Sequence, residues 1–516
     1  MVAAAVACLA AFQFGFATGM LNVPQEAITR ELGVALNGWI WSAVVSSWCF
    51  AGLLGAQTAA SIADKRGRRA SLALTAVICA LSGVVMFAAG SVSMAAAHDE
   101  LEVNQLGLGL LVAGRVISGV GCGMATVATP LYLGEIASTS VRGLFGSLNQ
   151  LAVVLSIFFA QAMAAAAQLE NLHYRWVLGA PAILGAAQLL MLPLMPESPR
   201  WCLSAGGGVE AAQAALRRLR VSGDSSALDE ELEQMRSDLR KMMRRTAAAG
   251  NRRRGVLALW KKQPDMRLPL VAASVMMMGQ QCSGINAVFY YSTSFFASAG
   301  LSNPLIGTLL ASGVNALAMV ATVPMMERAG RRRLLLVGIG GMLFAALALS
   351  MVLLAEESPH LDVSRHTLDT AAIGFVLLFV ATFELGPGPI PWQIGAEIFP
   401  EGPRATAMGF AATLNWLCNA SVGLGFPLMQ GALGPYVFFP FAAVLALWLG
   451  FTFRFVPETR GRSVSEIQAE FLRLAGIHRR STTIISEAAD MLHGVPGASS
   501  AQPPDVEQGG TSPNSD

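Results

Sequence analysis

Three charged or proline-bearing motifs occur twice in this chain, in the same order and at nearly the same offset. Asp64-Lys65-Arg66-Gly67-Arg68-Arg69 returns as Glu327-Arg328-Ala329-Gly330-Arg331-Arg332, 263 residues on. Glu135 and Arg142 return as Glu397 and Arg404, seven residues apart in both places and 262 residues on. Pro196-Glu197 returns as Pro457-Glu458, 261 residues on. A chain duplicated in this way folds as two halves of like topology, and the stretches between the motifs say what the halves are made of.

Those stretches are apolar and about 20 residues long, the length at which a helix crosses a bilayer. Twelve such windows lie near residues 1–22, 38–62, 70–91, 105–128, 142–168, 175–195, 268–296, 304–326, 334–355, 371–395, 405–429 and 434–456. With 54% hydrophobic and 13% charged residues in 516, the chain has more apolar surface than a soluble core can bury. The expected fold is an all-α membrane protein with twelve transmembrane helices in two pseudo-symmetric six-helix bundles. The N-terminal bundle takes residues 1–200, an intracellular helical linker 201–267, the C-terminal bundle 268–456 and a cytoplasmic tail 457–516. Duplicated bundles of this kind suit a transporter that rocks two halves about a site at the membrane midplane.

Lysine and arginine set the orientation. Placing Met1 in the cytoplasm leaves Arg30, Arg175 and Arg365 outside and Arg115 within a span, and puts the other 31 of the 35 basic residues on or facing the cytoplasmic side. The positive-inside rule asks for that asymmetry. Both termini are then expected in the cytoplasm, with the protein in the plasma membrane. The net charge of +2 gives no reason to expect nucleic acid as a partner. Cys8, Cys49, Cys79, Cys122, Cys202, Cys282 and Cys418 fall in spans or on the cytoplasmic side, so no disulfide framework is implied. The first apolar run lacks a basic leader and a cleavage site, and reads as a span rather than a signal peptide.

One span is unusually polar. Gln280-Gln281-Cys282-Ser283-Gly284-Ile285-Asn286-Ala287-Val288-Phe289-Tyr290-Tyr291-Ser292 places three amides and a tyrosine pair inside an apolar segment from about Leu268 to Phe296. Away from water, each of these groups needs a partner in the protein or in a polar ligand. Two readings stay open at this point: amides that hold helices together, or a surface for a neutral solute rich in hydroxyls. A hexose fits the second, because primary amides both donate and accept without the cost of burying a charge.

Further motifs carry a resemblance. Gly114-Arg115, Pro196-Glu197-Ser198-Pro199-Arg200, the run from Gln280 to Ser292, Gly386-Pro387-Gly388-Pro389-Ile390-Pro391-Trp392 and Pro457-Glu458-Thr459-Arg460-Gly461 join the two basic loops in covering residues 10 to 465. In these the chain resembles the major facilitator superfamily, in its sugar-porter branch, and most the facilitative glucose transporters. The resemblance implies that Gln150, Gln280, Gln281, Asn286, Asn315 and Asn415 are hydroxyl ligands. It also implies that Trp392 and Trp416 face the apolar side of the sugar ring, and that Glu384 is the acid before a broken helix. Tyr290 and Tyr291 resemble an external gate, and Gly386, Pro387 and Pro389 form a hinge in which proline breaks the helix. The expected inner latch comprises Asp64, Arg68, Arg69, Glu135, Arg142, Glu197 and Arg200 in one half, and Glu327, Arg331, Arg332, Glu397, Arg404 and Glu458 in the other.

Proton-coupled relatives typically carry an aspartate in the first helix, where this chain reads Phe14-Gly15-Phe16-Ala17-Thr18-Gly19. Alanine cannot carry a proton, so the expectation is facilitated diffusion of a hexose, glucose first. A proton-coupled sugar or polyol symporter is the alternative, with Glu384 as the proton site. A non-transporting sugar sensor is the alternative of another class, disfavoured by the short tail. No nucleotide loop, metal cluster or nucleophile and base arrangement suggests an enzyme or a cofactor, and the oligomeric state is left open. Asn149 before Gln150, and Cys282, depart from residues common in glucose-selective members. The sequon Asn419-Ala420-Ser421 falls inside a span and reads as coincidental. Short surface helices are expected over 209–221 and 226–245, the second with a Ser226-x-x-Asp229 cap, with a flexible charged linker as the alternative, and disorder over 494–516.

Overall fold

The structure, a computed structural model, describes residues 1–36, 38–96, 103–138, 142–204, 207–220, 225–248, 256–298, 303–357 and 364–476. Among these the regular structure is helical throughout. The first half contains α1 (Val2–Gly19), α2 (Gln25–Leu32), α3 (Trp39–Arg66), α4 (Arg68–Ala96), α5 (Gln105–Ile136), α6 (Arg142–Leu169) and α7 (Arg175–Met191). Between the halves lie α8 (Pro199–Ser204), α9 (Gly208–Leu219), α10 (Ser225–Ala248) and α11 (Val256–Lys262). The second half contains α12 (Arg267–Cys282), α13 (Ile285–Ser298), α14 (Pro304–Ala329), α15 (Arg331–Glu357), α16 (Arg365–Leu385), α17 (Ile390–Ile398), α18 (Glu401–Leu433) and α19 (Phe439–Phe455), with α20 (Val464–Leu474) behind it.

Helix is what a lipid-facing chain must form, since every backbone N–H and C=O has to be satisfied within the segment. Ten stretches among the described residues are long and apolar enough to cross a membrane. One of them, Pro403–Phe455, holds both α18 and α19. A further crossing is made in two pieces, α12 of 16 residues and α13 of 14, each too short to span alone. That brings the crossings to the expected twelve. The segment expected as one run over 268–296 is therefore broken: α12 ends at Cys282, the Ser283 hydroxyl folds back on Gln280 O at 2.6 Å, and Gly284 has a φ of +88°.

Packing follows the duplication. In the first half α3 packs on α5, α4 on α5 and α7, and α1 on α6; in the second, α15 packs on α16 and α19, and α12 on α18. The halves meet along α3 against α18 and along α6 against α14. Small residues permit the closest crossings, as is usual without a hydrophobic drive between helices. A Cβ on Gly123 of α5 would stand 2.0 Å from Gly52 O of α3.

The repeated motifs meet at one end of the bundle, here called the basic end. Gly67 and Gly330 lie at φ +97° and +86°, a region that side chains rarely adopt, and a Cβ on either would stand 2.3 or 2.5 Å from the carboxylate of Glu197 or Glu458. Each carboxylate is close because it caps a helix. Glu197 accepts from Arg68 N at 3.0 Å and Arg69 N at 3.2 Å, and Glu458 from Arg331 N at 2.9 Å and Arg332 N at 3.1 Å. These amides are orphan donors at the N-termini of α4 and α15, where a negative charge is favoured. The arginine side chains then turn inward. Arg68 makes a two-pronged pair with Glu135 at 2.9 and 2.8 Å, and Arg331 reaches Glu397 Oε1 at 3.1 Å. The Thr459 hydroxyl donates to the other Glu397 oxygen at 2.5 Å.

Every one of these contacts joins elements of the same half. Asp64 adds a 3.5 Å contact to Arg68, Arg332 donates to Phe453 O at 2.7 Å, and Arg404 donates to Phe399 O at 2.9 Å. Arg200 is exposed. The side chains of Arg142 and Glu327 lie outside what is described. Helices α9 and α10 occupy the two expected stretches of the linker and share a small apolar cluster with α8 that includes Cys202, Leu216 and Leu228. Arg220 ties them to the first half, pairing with Glu231 at 2.6 Å and donating to Ile136 O at 3.0 Å. The segment expected to be disordered, 494–516, lies outside the described residues.

Candidate functional site

A cavity of about 220 Å³ lies between the halves. Gln150 from α6, Gln280 and Gln281 from α12, Asn286 from α13, Asn315 from α14, Glu384 from α16, Trp392 from α17, and Asn415 and Trp416 from α18 all line it. Tyr290 and Pro389 line it as well. Tyr291, Gly386 and Pro387 stand behind the wall: Tyr291 donates to Gly423 O at 2.8 Å and stacks on Phe426 at 5.7 Å.

The lining amides divide into two groups. Gln280 is committed within the protein. Its Nε2 donates to Pro387 O at 2.9 Å and Gly388 O at 2.6 Å, two carbonyls freed where the proline and glycine run interrupts the helix, and its Oε1 accepts from Asn415 Nδ2 at 2.9 Å. Gln281 Nε2 donates to Asn415 Oδ1 at 3.0 Å, and Asn286 donates both to Gln281 Oε1 and, at 2.9 Å, to Asn419 Oδ1. Tyr290 closes the chain with a 2.9 Å bond to the same oxygen. Five amides and a phenol thus hold one another and the broken α16–α17 connection in a fixed arrangement.

The second group has spare capacity. Both polar atoms of Asn315, Trp416 Nε1, Glu384 Oε2 and Asn149 Oδ1 are buried and have no hydrogen-bond partner among the described residues, and all these side chains line the cavity. Glu384 keeps one weak contact across the halves, accepting from Gln150 Nε2 at 3.4 Å. Burying a polar atom without a partner is costly, and a space lined by five of them offers hydrogen bonds to a polar ligand.

Trp416 carries this group across the interface. From α18 its ring lies 5.5 Å from that of Trp48 and 5.9 Å edge-on to that of Phe14, both in the first half. A Cβ on Gly52 would stand 2.5 Å from the same ring, so a side chain there would displace it. Trp48 also packs under Arg115, whose guanidinium is 5.2 Å from the ring. Arg115 donates to Ala17 O at 2.8 Å and Val45 O at 3.2 Å, so that backbone carbonyls of α1 and α3 receive the charge.

The two ends of the cavity differ. Away from the basic end it is shut by bonds that cross the halves: Asn22 Nδ2 donates to Ser292 Oγ at 2.7 Å, Thr293 N donates to Asn22 Oδ1 at 3.2 Å, and the Tyr290 hydroxyl is 3.6 Å from Cys49 Sγ. Toward the basic end the lining reaches Pro130, Gly146 and Gln393. Gly146 is only four residues, about 6 Å, from the start of α6.

Asn419, part of a sequon in the sequence, belongs to the site: it is 4% exposed and receives two of the bonds in the amide chain. The signal was its spacing of four residues from Asn415, which puts both on one face of α18. Asn149, noted only as a departure, has an unpaired oxygen in the lining.

Comparison with known proteins agrees with this architecture. Residues 3–471 match the family described as "Sugar (and other) transporter". The chain is 36% identical over 483 residues to the facilitated glucose transporter member 3 of Ovis aries, covering 91% of this chain and 92% of that one. It is 35% identical over 480 residues to its counterpart in Homo sapiens, covering 90% and 91%. Among solved structures, the major facilitator superfamily proton:xylose symporter XylE bound to 6-bromo-6-deoxy-D-glucose superposes with a TM-score of 0.70 at 24% identity, over 91% of this chain and 98% of that one. A partially occluded inward open form of the xylose transporter XylE from E. coli superposes at 0.71 with 22% identity, over 89% and 99%. With its twelve crossings, its two like halves and a match along nearly its whole length, this chain belongs to the sugar transporter family and has the major facilitator fold.

Proposed function

We propose that this chain carries D-glucose or a closely related hexose down its gradient by alternating access, through the cavity between its halves. The observation that carries the reading is the set of unpaired polar atoms on Asn315, Trp416, Glu384 and Asn149 facing a space of about 220 Å³. A space of that size suits one monosaccharide. The unpaired atoms offer donors and acceptors on several sides, as a ring of hydroxyls requires, while Trp392 and Trp416 offer apolar faces to the ring. Relatives named as facilitated glucose transporters support the choice of solute.

The basic end is the cytoplasmic one by the positive-inside asymmetry, with both termini there and the plasma membrane as the site of action. The structure then corresponds to a state shut toward the outside by Asn22, Ser292 and Tyr290, with its sugar site facing inward. Tyr290 and Tyr291 serve as the outer gate, and the charged motifs at the basic end, each braced within its own half, act as two rigid plates that meet and part as the halves rock. Weak binding suits turnover, and a millimolar constant corresponds to only about 4 kcal/mol.

Uniport is favoured by Ala17, whose backbone carbonyl takes the hydrogen bond of Arg115 where a carboxylate would otherwise pair with it. Proton symport through Glu384 is the second reading, because one of its carboxyl oxygens is buried without a partner among the described residues. Uptake of labelled D-glucose into proteoliposomes, with and without an inward proton gradient, separates the two. Uptake that stops at equal concentrations under both conditions supports uniport, and accumulation driven by the gradient supports symport. No saturable uptake of any hexose would overturn the transport reading itself.

A further inference from the structure

A second depression lies away from the sugar cavity, near the basic end, where α11, α12 and α18 meet. It measures about 330 Å³ and is walled by Leu257, Trp260, Leu270, Val271, Val275 and Phe410, and the surface it presents is apolar. Leu257 is 63% exposed and Trp260 41% exposed, a poor arrangement in water for a helix of seven residues. The same arrangement is favourable at the boundary of a bilayer, where tryptophan concentrates. Basic residues adjoin the groove in sequence. Lys261 and Lys262 end α11 and are exposed. Arg267 opens α12 with its guanidinium 5.6 Å from the Trp260 ring and its Nε donating to Trp260 O at 2.8 Å. Asp265, between them in sequence, is the acid of this segment and leaves it net positive.

We propose that this groove is a binding site for an anionic glycerophospholipid, with one acyl chain laid against Leu270, Val271, Val275 and Phe410 and the phosphate headgroup held by Lys261, Lys262 and Arg267. An apolar slot and a cationic rim within one short helix of each other match the two ends of such a molecule and no soluble anion. A free phosphate would use the rim and leave the slot unfilled. A zwitterionic lipid would fill the slot and gain less at the rim, where each basic residue attracts anionic lipid by about a five-fold factor. The walls belong to α12 and α18, which carry Gln280, Gln281 and Asn415 farther along, so an occupant of the groove rests on the same helices as the sugar cavity.

The test uses the full chain in vesicles or nanodiscs of phosphatidylcholine with and without phosphatidylglycerol, reading retained lipid by native mass spectrometry and the thermal unfolding midpoint. Wild type is expected to retain phosphatidylglycerol over phosphatidylcholine by on the order of a hundred-fold from an equimolar mixture, and to unfold at a higher temperature with it. Lys261→Gln with Lys262→Gln should lower the retention ratio to about five-fold, the share that Arg267 alone supplies. Val271→Trp, which fills the slot and leaves the charges, should remove bound lipid of both kinds. Both variants are expected to unfold as wild type does in phosphatidylcholine alone, which serves as the control for folding. Equal retention of the two lipids by wild type would overturn the proposal. So would a phosphatidylglycerol preference that survives Val271→Trp, or stabilisation by inorganic phosphate without lipid.

Discussion

Asn315→Leu and Gln280→Leu should have opposite consequences, although both delete a buried amide from the same cavity. Asn315 makes no hydrogen bond within the described protein, so its loss should leave the unfolding midpoint of the sugar-free protein close to that of wild type. Its two polar groups should matter only with sugar present. At about 0.5–1.5 kcal/mol for each hydrogen bond, losing two costs roughly 1–3 kcal/mol, or about a 5- to 150-fold weaker sugar constant. At a glucose concentration about 100 times the wild-type constant, ligand stabilises wild type by about 2.7 kcal/mol; a 50-fold weaker constant reduces that to about 0.7 kcal/mol. Gln280→Leu instead strands Pro387 O and Gly388 O, which its amide satisfies at 2.9 and 2.6 Å. Two orphaned buried carbonyls cost about 2–6 kcal/mol, so the sugar-free midpoint itself should drop. The assay is thermal unfolding in nanodiscs across a glucose titration. A wild-type glucose shift in Asn315→Leu, or a sugar-free midpoint as low as that of Gln280→Leu, would refute the division of the amides into braces and ligands.

Three further perturbations probe other parts of the argument. Gly330→Ala forces a side chain into φ +86° with its Cβ 2.5 Å from Glu458 Oε2. It should lower the midpoint by about 1–3 kcal/mol, while Gly340→Ala, with nothing within 4 Å, should not. Asn22→Val removes two bonds across the halves, so Cys49 should react faster with an impermeant maleimide added from the side opposite the basic end; an unchanged rate would exclude Asn22 from the closure. Gly52→Val pushes against the Trp416 ring and should lower hexose uptake at equal protein level, and Trp416→Ala in the same chain should show non-additive coupling.

What could be read from the sequence depended on how local the physics was. The twelve crossings were legible because lipid leaves a twenty-residue apolar run one way to satisfy its backbone. The break within the seventh crossing was less so, since Ser283 and Gly284 are unremarkable until the Ser283 hydroxyl is seen to take the Gln280 carbonyl. The recurrence of the Gly-Arg-Arg motif was plain, but its cause was not. The glycine is required by a carboxylate that arrives from Glu197, or in the other half from Glu458, more than a hundred residues away in sequence. Gln280 was expected among the sugar ligands, and which of two neighbouring glutamines would be occupied by freed carbonyls depends on the path of the α16–α17 connection. Asn419 was overlooked because a sequon drew attention to its surface chemistry when its neighbour four residues back, Asn415, held the relevant clue.

The two halves are alike in topology, yet they contribute unequally to the cavity, and the inequality suggests how the site works. The braced chain Gln280, Asn415, Gln281, Asn286, Asn419 and Tyr290 lies wholly in the second half, as do Asn315, Glu384, Trp392 and Trp416. From the first half the lining has Asn149 and Gln150 for its amides, and otherwise mostly apolar side chains such as Phe14, Val153 and Ile157, with the hydroxyls of Thr18 and Thr126. With more of the polar lining on the second half than on the first, we expect a hexose to keep more of its hydrogen bonds to the second half as the first half moves. The contacts that do cross the halves are accordingly light: a 3.4 Å bond from Gln150 to Glu384, the Trp416 ring on Trp48 and Phe14, and the Asn22 pair. None of these three is an ion pair between basic and acidic side chains, whose rupture when buried would cost several kcal/mol. Ring contacts and single hydrogen bonds such as these can part on the scale of the weak binding energy that a sugar supplies.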